Sequence, residues 1–116
     1  MPSKSERPSL LQGSLDLLIL RSLGGGPRHG YAVAKHLREA SQDFLQVEEG
    51  SLYPALHRLE QRGWVVSRWG QSEANRRAKY YSLTNSGKKQ LQFETAAWEK
   101  MSDAINRVLK FRLAES

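Results

Sequence analysis

Apolar residues follow a helical period over the first half of the chain, give way to a strand-like period, and return to a helical one near the end. Leu11, Leu15, Leu18 and Ile19 recur on one helical face, and Leu17, Leu20 and Leu23 widen it, which predicts a first helix buried on more than one side. Ser9 is placed to N-cap that helix, with Gln12 three positions later completing a capping box. Gly24-Gly25-Gly26-Pro27 should end it, because glycine supplies a left-handed cap and proline cannot continue the hydrogen-bond ladder.

A second helix is predicted from Gly30 to about Ser41, with Tyr31, Ala34 and Leu37 inward, Val33 and Ala40 flanking, and Lys35, Arg38 and Glu39 outward. After a linker over residues 42–48, a third helix turns Leu52, Leu56 and Leu59 to the core and ends at Gly63, where a positive φ is wanted. Pro54 is expected in its first turn, where a missing amide proton costs little. Short successive helices joined by a tight linker form the skeleton of a helix-turn-helix.

Past Gly63 the pattern turns aromatic and β-branched. Residues 64–69 and 79–83 read as two strands around the polar, basic stretch 70–77, which describes a β-wing. Trp64 and Trp69 are expected to brace that wing against the helices. Thr84 then caps a last helix running to about Leu113. Leu91, Trp98 and Ile105 fall seven apart on it, with Met101 and Val108 on a second seam. Glu94 interrupts the second seam and Arg112 continues the first. No later helix is available to cover this stripe, so dimerisation is the simplest way to bury it. The predicted class is mainly α (α+β): a winged helix-turn-helix with a two-stranded wing and a long C-terminal dimerisation helix. Residues 1–8 read as a flexible tail, 9–83 as the winged domain and 84–116 as the dimerisation helix.

Composition narrows the function. With 116 residues, 39% of them hydrophobic and 26% charged, the chain fits one soluble globular domain. Its net charge of +6 and pI near 9.9 pass the value of about 9 at which a nucleic-acid partner becomes a fair expectation. Cysteine is absent, which excludes disulfides, cysteine-ligated zinc and thiol catalysis. The polar, charged start is unlike a signal peptide, and the apolar run near Leu15 is too short to span a bilayer, so a cytoplasmic location is expected. None of His29, His36 and His57 stands in a metal-ligand or nucleophile motif, and the adjacent pair Glu48-Glu49 suits a helix N-terminus better than an acid–base site. No enzyme, metal or cofactor is expected.

The outward face of the third helix carries the candidates for reading DNA. A helix in the major groove reads base edges with its N-terminal residues, while its dipole favours nearby phosphates. Ser51 and Tyr53 suit phosphate or base-edge contacts, Arg58 suits guanine or phosphate, and Pro54 and His57 share the surface. Arg76, Arg77 and Lys79 on the wing form the densest positive cluster, fitted to a minor groove. Two other readings stand beside this one. A winged helix can serve as a protein-binding module, and RNA binding would need an exposed aromatic sheet that the sequence lacks.

His29-Gly30-Tyr31, the run from Gly50-Ser51-Leu52-Tyr53-Pro54 to Glu60, Arg76-Arg77-Ala78-Lys79-Tyr80-Tyr81 and Leu83-Thr84-Asn85-Ser86-Gly87 resemble the signature segments of the PadR family of bacterial transcriptional regulators. The likeness covers about residues 10–90, and the single C-terminal helix is similar to the family's shorter subgroup. It implies a winged-helix homodimer that represses a promoter and releases it when an effector binds. Tyr53 would then lie at the DNA surface and the last helix against the partner subunit. Trp98 has two readings: the largest knob of the dimer seam, or a wall of an interface cavity where a small aromatic effector stacks. Ala78 and Ser82 depart from the basic residues usual in such wings, so the phosphate contacts should differ.

Overall fold

The computed structural model describes residues 12–111. The predicted roles of Ser9, Leu11, Arg112 and Leu113, and the tail over residues 1–8, lie outside the described residues. In chain order the elements are α1 (Gln12–Leu23), β1 (Arg28–His29), α2 (Gly30–Ala40), α3 (Glu49–Gln61), β2 (Val65–Gln71), β3 (Arg77–Leu83) and α4 (Asn85–Lys110). This is the winged helix-turn-helix with a long final helix that the patterning predicts. The last helix stops at Lys110, short of Leu113, because Phe111 adopts an extended backbone.

The core lies where α1, α2 and α3 meet the base of the wing. Leu15, Ile19, Leu20 and Leu23 of α1 pack with Leu52, Leu56 and Leu59 of α3, closed by Val65 and Tyr81. One helix presents a different face from the expected one. On α2 the buried positions are Gly30, Val33 and Leu37, and Tyr31 is 65% exposed. Gly30, Val33 and Leu37 keep an i, i+3, i+7 spacing where the expected Tyr31, Ala34 and Leu37 keep i, i+3, i+6, and the inward face is turned by about one residue.

The ends of α2 and α3 share one solution. After α3, Gly63 takes φ +80, with the Trp64 amide donating to the Leu59 carbonyl and the Gly63 amide to that of Glu60. After α2 the same pair of bonds runs from Asp43 to Arg38 and from Gln42 to Glu39, and Gln42 sits at φ 55. At the end of α1 the left-handed residue is Gly26, at φ +129, three positions beyond the last helical residue.

The two predicted strands, β2 and β3, pair as the wing, and β1 joins them in an antiparallel sheet of order β1-β3-β2. The added strand is short: Arg28 pairs with Tyr81 and His29 with Tyr80. Two residues carry no readable alternation, so β1 left no trace in the pattern. Between β2 and β3 the tip closes with the Ser72 amide on the Arg76 carbonyl at 2.8 Å and Asn75 at φ 62, a turn with a bulge at its left-handed residue.

Thr84 locks α4 onto the wing base. Its hydroxyl accepts from the Gly87 amide at 2.9 Å and donates to the Gly63 carbonyl at 2.7 Å, and its amide donates to the Trp64 carbonyl. Gly87 is buried directly against the Trp64 carbonyl, where any Cβ would collide. Leu91 still packs on the core of its own chain. Beyond it α4 runs outward, which stretches the molecule to 62 × 34 × 21 Å. No helix among the described residues is long and apolar enough to cross a membrane.

Candidate nucleic-acid interface

Burying Leu52, Ala55, Leu56 and Leu59 fixes the rotation of α3 and leaves Ser51, Tyr53, Pro54 and His57 on its exposed side. Pro54 is not in the first turn. The helix starts at Glu49, so Pro54 is its sixth residue and gives the Gly50 carbonyl no amide partner. Gly50 is exposed, so water can satisfy that oxygen. Glu48 is the N-cap without a side-chain bond to the helix, and Glu49 opens the first turn. Two carboxylates therefore offset the positive end of the helix dipole.

Tyr53 is held by a glycine far from it in sequence. A Cβ on Gly30 would lie 2.6 Å from the Tyr53 hydroxyl and ring, so the ring occupies the space a side chain would need. Burial against this surface raises the pKa of the Tyr53 phenol, and the nearby Glu49 carboxylate adds to the rise. The phenol thus remains a hydrogen-bond donor through the whole neutral range. His29 sets the start of α2, the helix that carries Gly30: its Nδ1 accepts from the Ala32 amide at 3.2 Å as an N-cap.

Between α3 and the wing runs an open cleft of about 550 Å³, lined by Tyr31, Tyr53, Trp69, Arg76, Arg77 and Lys79 among others. The register places Trp69 opposite Lys79 and Gln71 opposite Arg77, so these side chains share a face of the hairpin. The Arg77 guanidinium lies 4.7 Å from the Trp69 ring centre, and the Lys79 ammonium 6.0 Å from that of Tyr81. The fold thus brings Tyr53 together with the three wing cations around one cleft, while Ser51, Pro54 and His57 extend the surface along α3.

Arg58 does not join this surface. Its guanidinium reaches α1 and pairs with Asp16 at 2.8 Å, the two side chains being 30% and 17% exposed. The helices cross at that point, and an arginine there meets a carboxylate before it meets solvent. Trp69 also differs from expectation: it is 57% exposed in the cleft, whereas Trp64 does pack on the core as a brace. Tyr31 and Trp69 are the cleft residues that the sequence reading assigned elsewhere. Period-two alternation from Lys79 across the hairpin was the available signal for Trp69.

On α4, Leu91 is drawn into its own chain's core. Trp98, Met101, Ile105 and Val108 stand exposed, from 48% at Ile105 to 74% at Val108. Glu94, which interrupts the second seam, accepts a hydrogen bond from the Gln90 side chain at 2.7 Å.

Residues 19–93 match the transcriptional regulator PadR-like family. Over 77 residues the chain is 30% identical to the negative transcriptional regulator PadR of Bacillus subtilis, a stretch covering 66% of this chain and 42% of that protein. A solved PadR family transcription regulator from Clostridium difficile is 34% identical with a TM-score of 0.72, over 82% of this chain and 97% of that one. A transcriptional regulator from Clostridium thermocellum gives a TM-score of 0.77 at 32% identity, over 85% and 96% of the two chains.

Proposed function

Because the chain belongs to the transcriptional regulator PadR-like family and is a DNA-binding regulator, not an enzyme, we propose that it is a homodimeric repressor whose operator complex is released by a small aromatic effector. The observation that carries the DNA-binding half is the cleft that unites Tyr53 on α3 with Arg76, Arg77 and Lys79 on the wing. Ser51, Tyr53, Pro54 and His57 read base edges in the major groove, and the wing cations hold the backbone. The repressor sense follows the relative from Bacillus subtilis, which is a negative regulator. A role on chromosomal DNA places the protein in the cytoplasm.

Dimerisation is supported by the apolar stripe of Trp98, Met101, Ile105 and Val108, which has no cover within the described chain. Two such stripes facing each other would remove it from water. Trp98, 51% exposed within that stripe, offers a flat face on which an aromatic effector can stack.

Fluorescence anisotropy of the full chain on its own upstream promoter and on a scrambled duplex, at several salt concentrations, tests the reading. A preference of about a thousandfold or more with a steep salt slope is expected. Equal, weak binding to both, with an equally empty genome-wide DNA selection, would instead make the winged helix a protein-binding module. In sedimentation, Ile105→Glu should yield monomers, and an intact dimer would place the interface elsewhere.

A further inference from the structure

Trp69 lies outside the hydrophobic core, 57% exposed, and its defined side-chain partner is Arg77, whose guanidinium carbon is 4.7 Å from the indole centre. The contact is diagonal across the ladder, since Trp69 pairs with Lys79 and Arg77 with Gln71. Among the described residues no carboxylate forms an ion pair with Arg77. Its charge is therefore uncommitted while its position is not. We propose that Trp69 is a positioning residue for Arg77, holding the guanidinium over the indole at the mouth of the cleft so that its N–H donors meet a DNA phosphate without first being ordered.

The inference rests on the reading of the α3–wing cleft as the DNA-binding face. Its physical basis is that a guanidinium uses its flat face for an aromatic ring and its N–H donors, in the plane, for an anion, so both contacts can be made at once. A free arginine loses rotamer freedom on binding, and that loss subtracts from affinity. A ring already under the guanidinium removes part of it in advance. Lys79 gains less from Tyr81: its ammonium sits at 6.0 Å, near the limit of about 6 Å for such contacts.

The test is a double-mutant cycle in the full-length protein, with Trp69→Ala, Arg77→Ala and the pair, measured on promoter and scrambled duplexes across a salt series. Trp69→Ala should weaken both duplexes alike, by roughly three- to tenfold. Its salt slope should stay that of the wild type, because Arg77 still reaches its phosphate. Arg77→Ala should lower the slope by about one unit, and adding Trp69→Ala to it should change nothing more. Trp69→Phe should restore most of the affinity. An unchanged urea midpoint for Trp69→Ala separates these effects from folding. A Trp69→Ala loss that persists in full in the Arg77→Ala background, or no loss in the first place, overturns the proposal. NMR of the free protein gives a readout independent of DNA: indole ring-current shifts on the Arg77 side chain that vanish in Trp69→Ala. Absence of those shifts refutes the stack. Shifts in a wild-type protein that binds neither duplex refute the DNA-binding reading, and this role with it.

Discussion

Arg58→Ala separates a strut from a DNA contact, because the two roles predict opposite results in two assays. The residue joins α3 to α1 through Asp16 at 2.8 Å, with side-chain exposures of 30% and 17%. Removing one partner of a fully buried pair costs about 3–5 kcal/mol, while an exposed pair contributes about 0–1 kcal/mol. This pair lies between the two. The Arg58 Nε is buried without a partner, so the wild-type side chain already carries an unmet donor and truncation gives some of that back. A destabilisation of about 2 kcal/mol follows, equivalent to a fall in Tm of roughly 8–16 °C for a domain of this size. Asp16→Ala should cost a similar amount by leaving a cation unpaired. The double variant should lose less than the sum, with a coupling of about 1–2 kcal/mol.

Urea unfolding at a single protein concentration measures all four proteins, the concentration being fixed because the stability of the proposed dimer would depend on it. The companion assay is the salt dependence of DNA binding at a temperature where every variant is folded. Arg58→Ala should keep the wild-type slope there, whereas Arg76→Ala with Arg77→Ala should flatten it by about one unit per lost phosphate contact. An Arg58→Ala protein that unfolds at the wild-type midpoint and loses a unit of slope would rule out the strut and return Arg58 to the DNA.

Three further outcomes are expected. Gln42→Gly should stabilise the protein by about 0.5–1 kcal/mol in urea, since Gln42 holds at φ 55 the left-handed position that glycine fills after α3; a lower midpoint would mean that the Gln42 side chain contributes more than its backbone costs. Gly30→Ala should displace the Tyr53 ring, which lies 2.6 Å from the new Cβ, destabilising by about 1–3 kcal/mol and weakening operator binding in anisotropy; wild-type affinity would show that the ring yields freely. Burial first, then Glu60 and Tyr53, raise the pKa of the Tyr81 phenol, so the folded state resists its ionisation. Stability from this source is intact below the unfolded tyrosine pKa of about 10 and is lost as pH rises above it. Tyr81→Phe should flatten that alkaline limb in urea midpoints taken from pH 8 upward, and an unchanged limb would assign it to other groups.

Periodicity read the parts of this molecule whose determinants are local. Leu52, Leu56 and Leu59 are buried as spaced, Gly63 takes its positive φ, Thr84 caps α4, and the aromatic strands pair into a wing. Several of the departures share a cause: the residue is placed by a partner on another element. Arg58 answers to Asp16, and Leu91 to the core and the glycine turn after α1. Trp69 is claimed by Arg77 across the hairpin, and β1 exists only because β3 offers it an edge. An outward arginine and an inward one have the same sequence signature until the carboxylate that receives it is located.

Tyr31 makes the point most sharply. Tyr31-Ala34-Leu37 and Gly30-Val33-Leu37 are both acceptable helical stripes, and in an 11-residue helix the apolar pattern alone leaves the phase open by one position. Bulk argues for Tyr31 inside, and by that criterion Gly30 contributes nothing. The structure decides the phase by exclusion. The Tyr53 ring needs the volume beside position 30, and glycine is the residue that leaves it vacant. Once Gly30 faces α3, Tyr31 has to face the cleft, where it joins Tyr53 and the wing cations. The His29-Gly30-Tyr31 and Gly50-Ser51-Leu52-Tyr53-Pro54 segments are thus two halves of one arrangement, in which a missing side chain on α2 sets the position of an aromatic ring on the exposed side of α3.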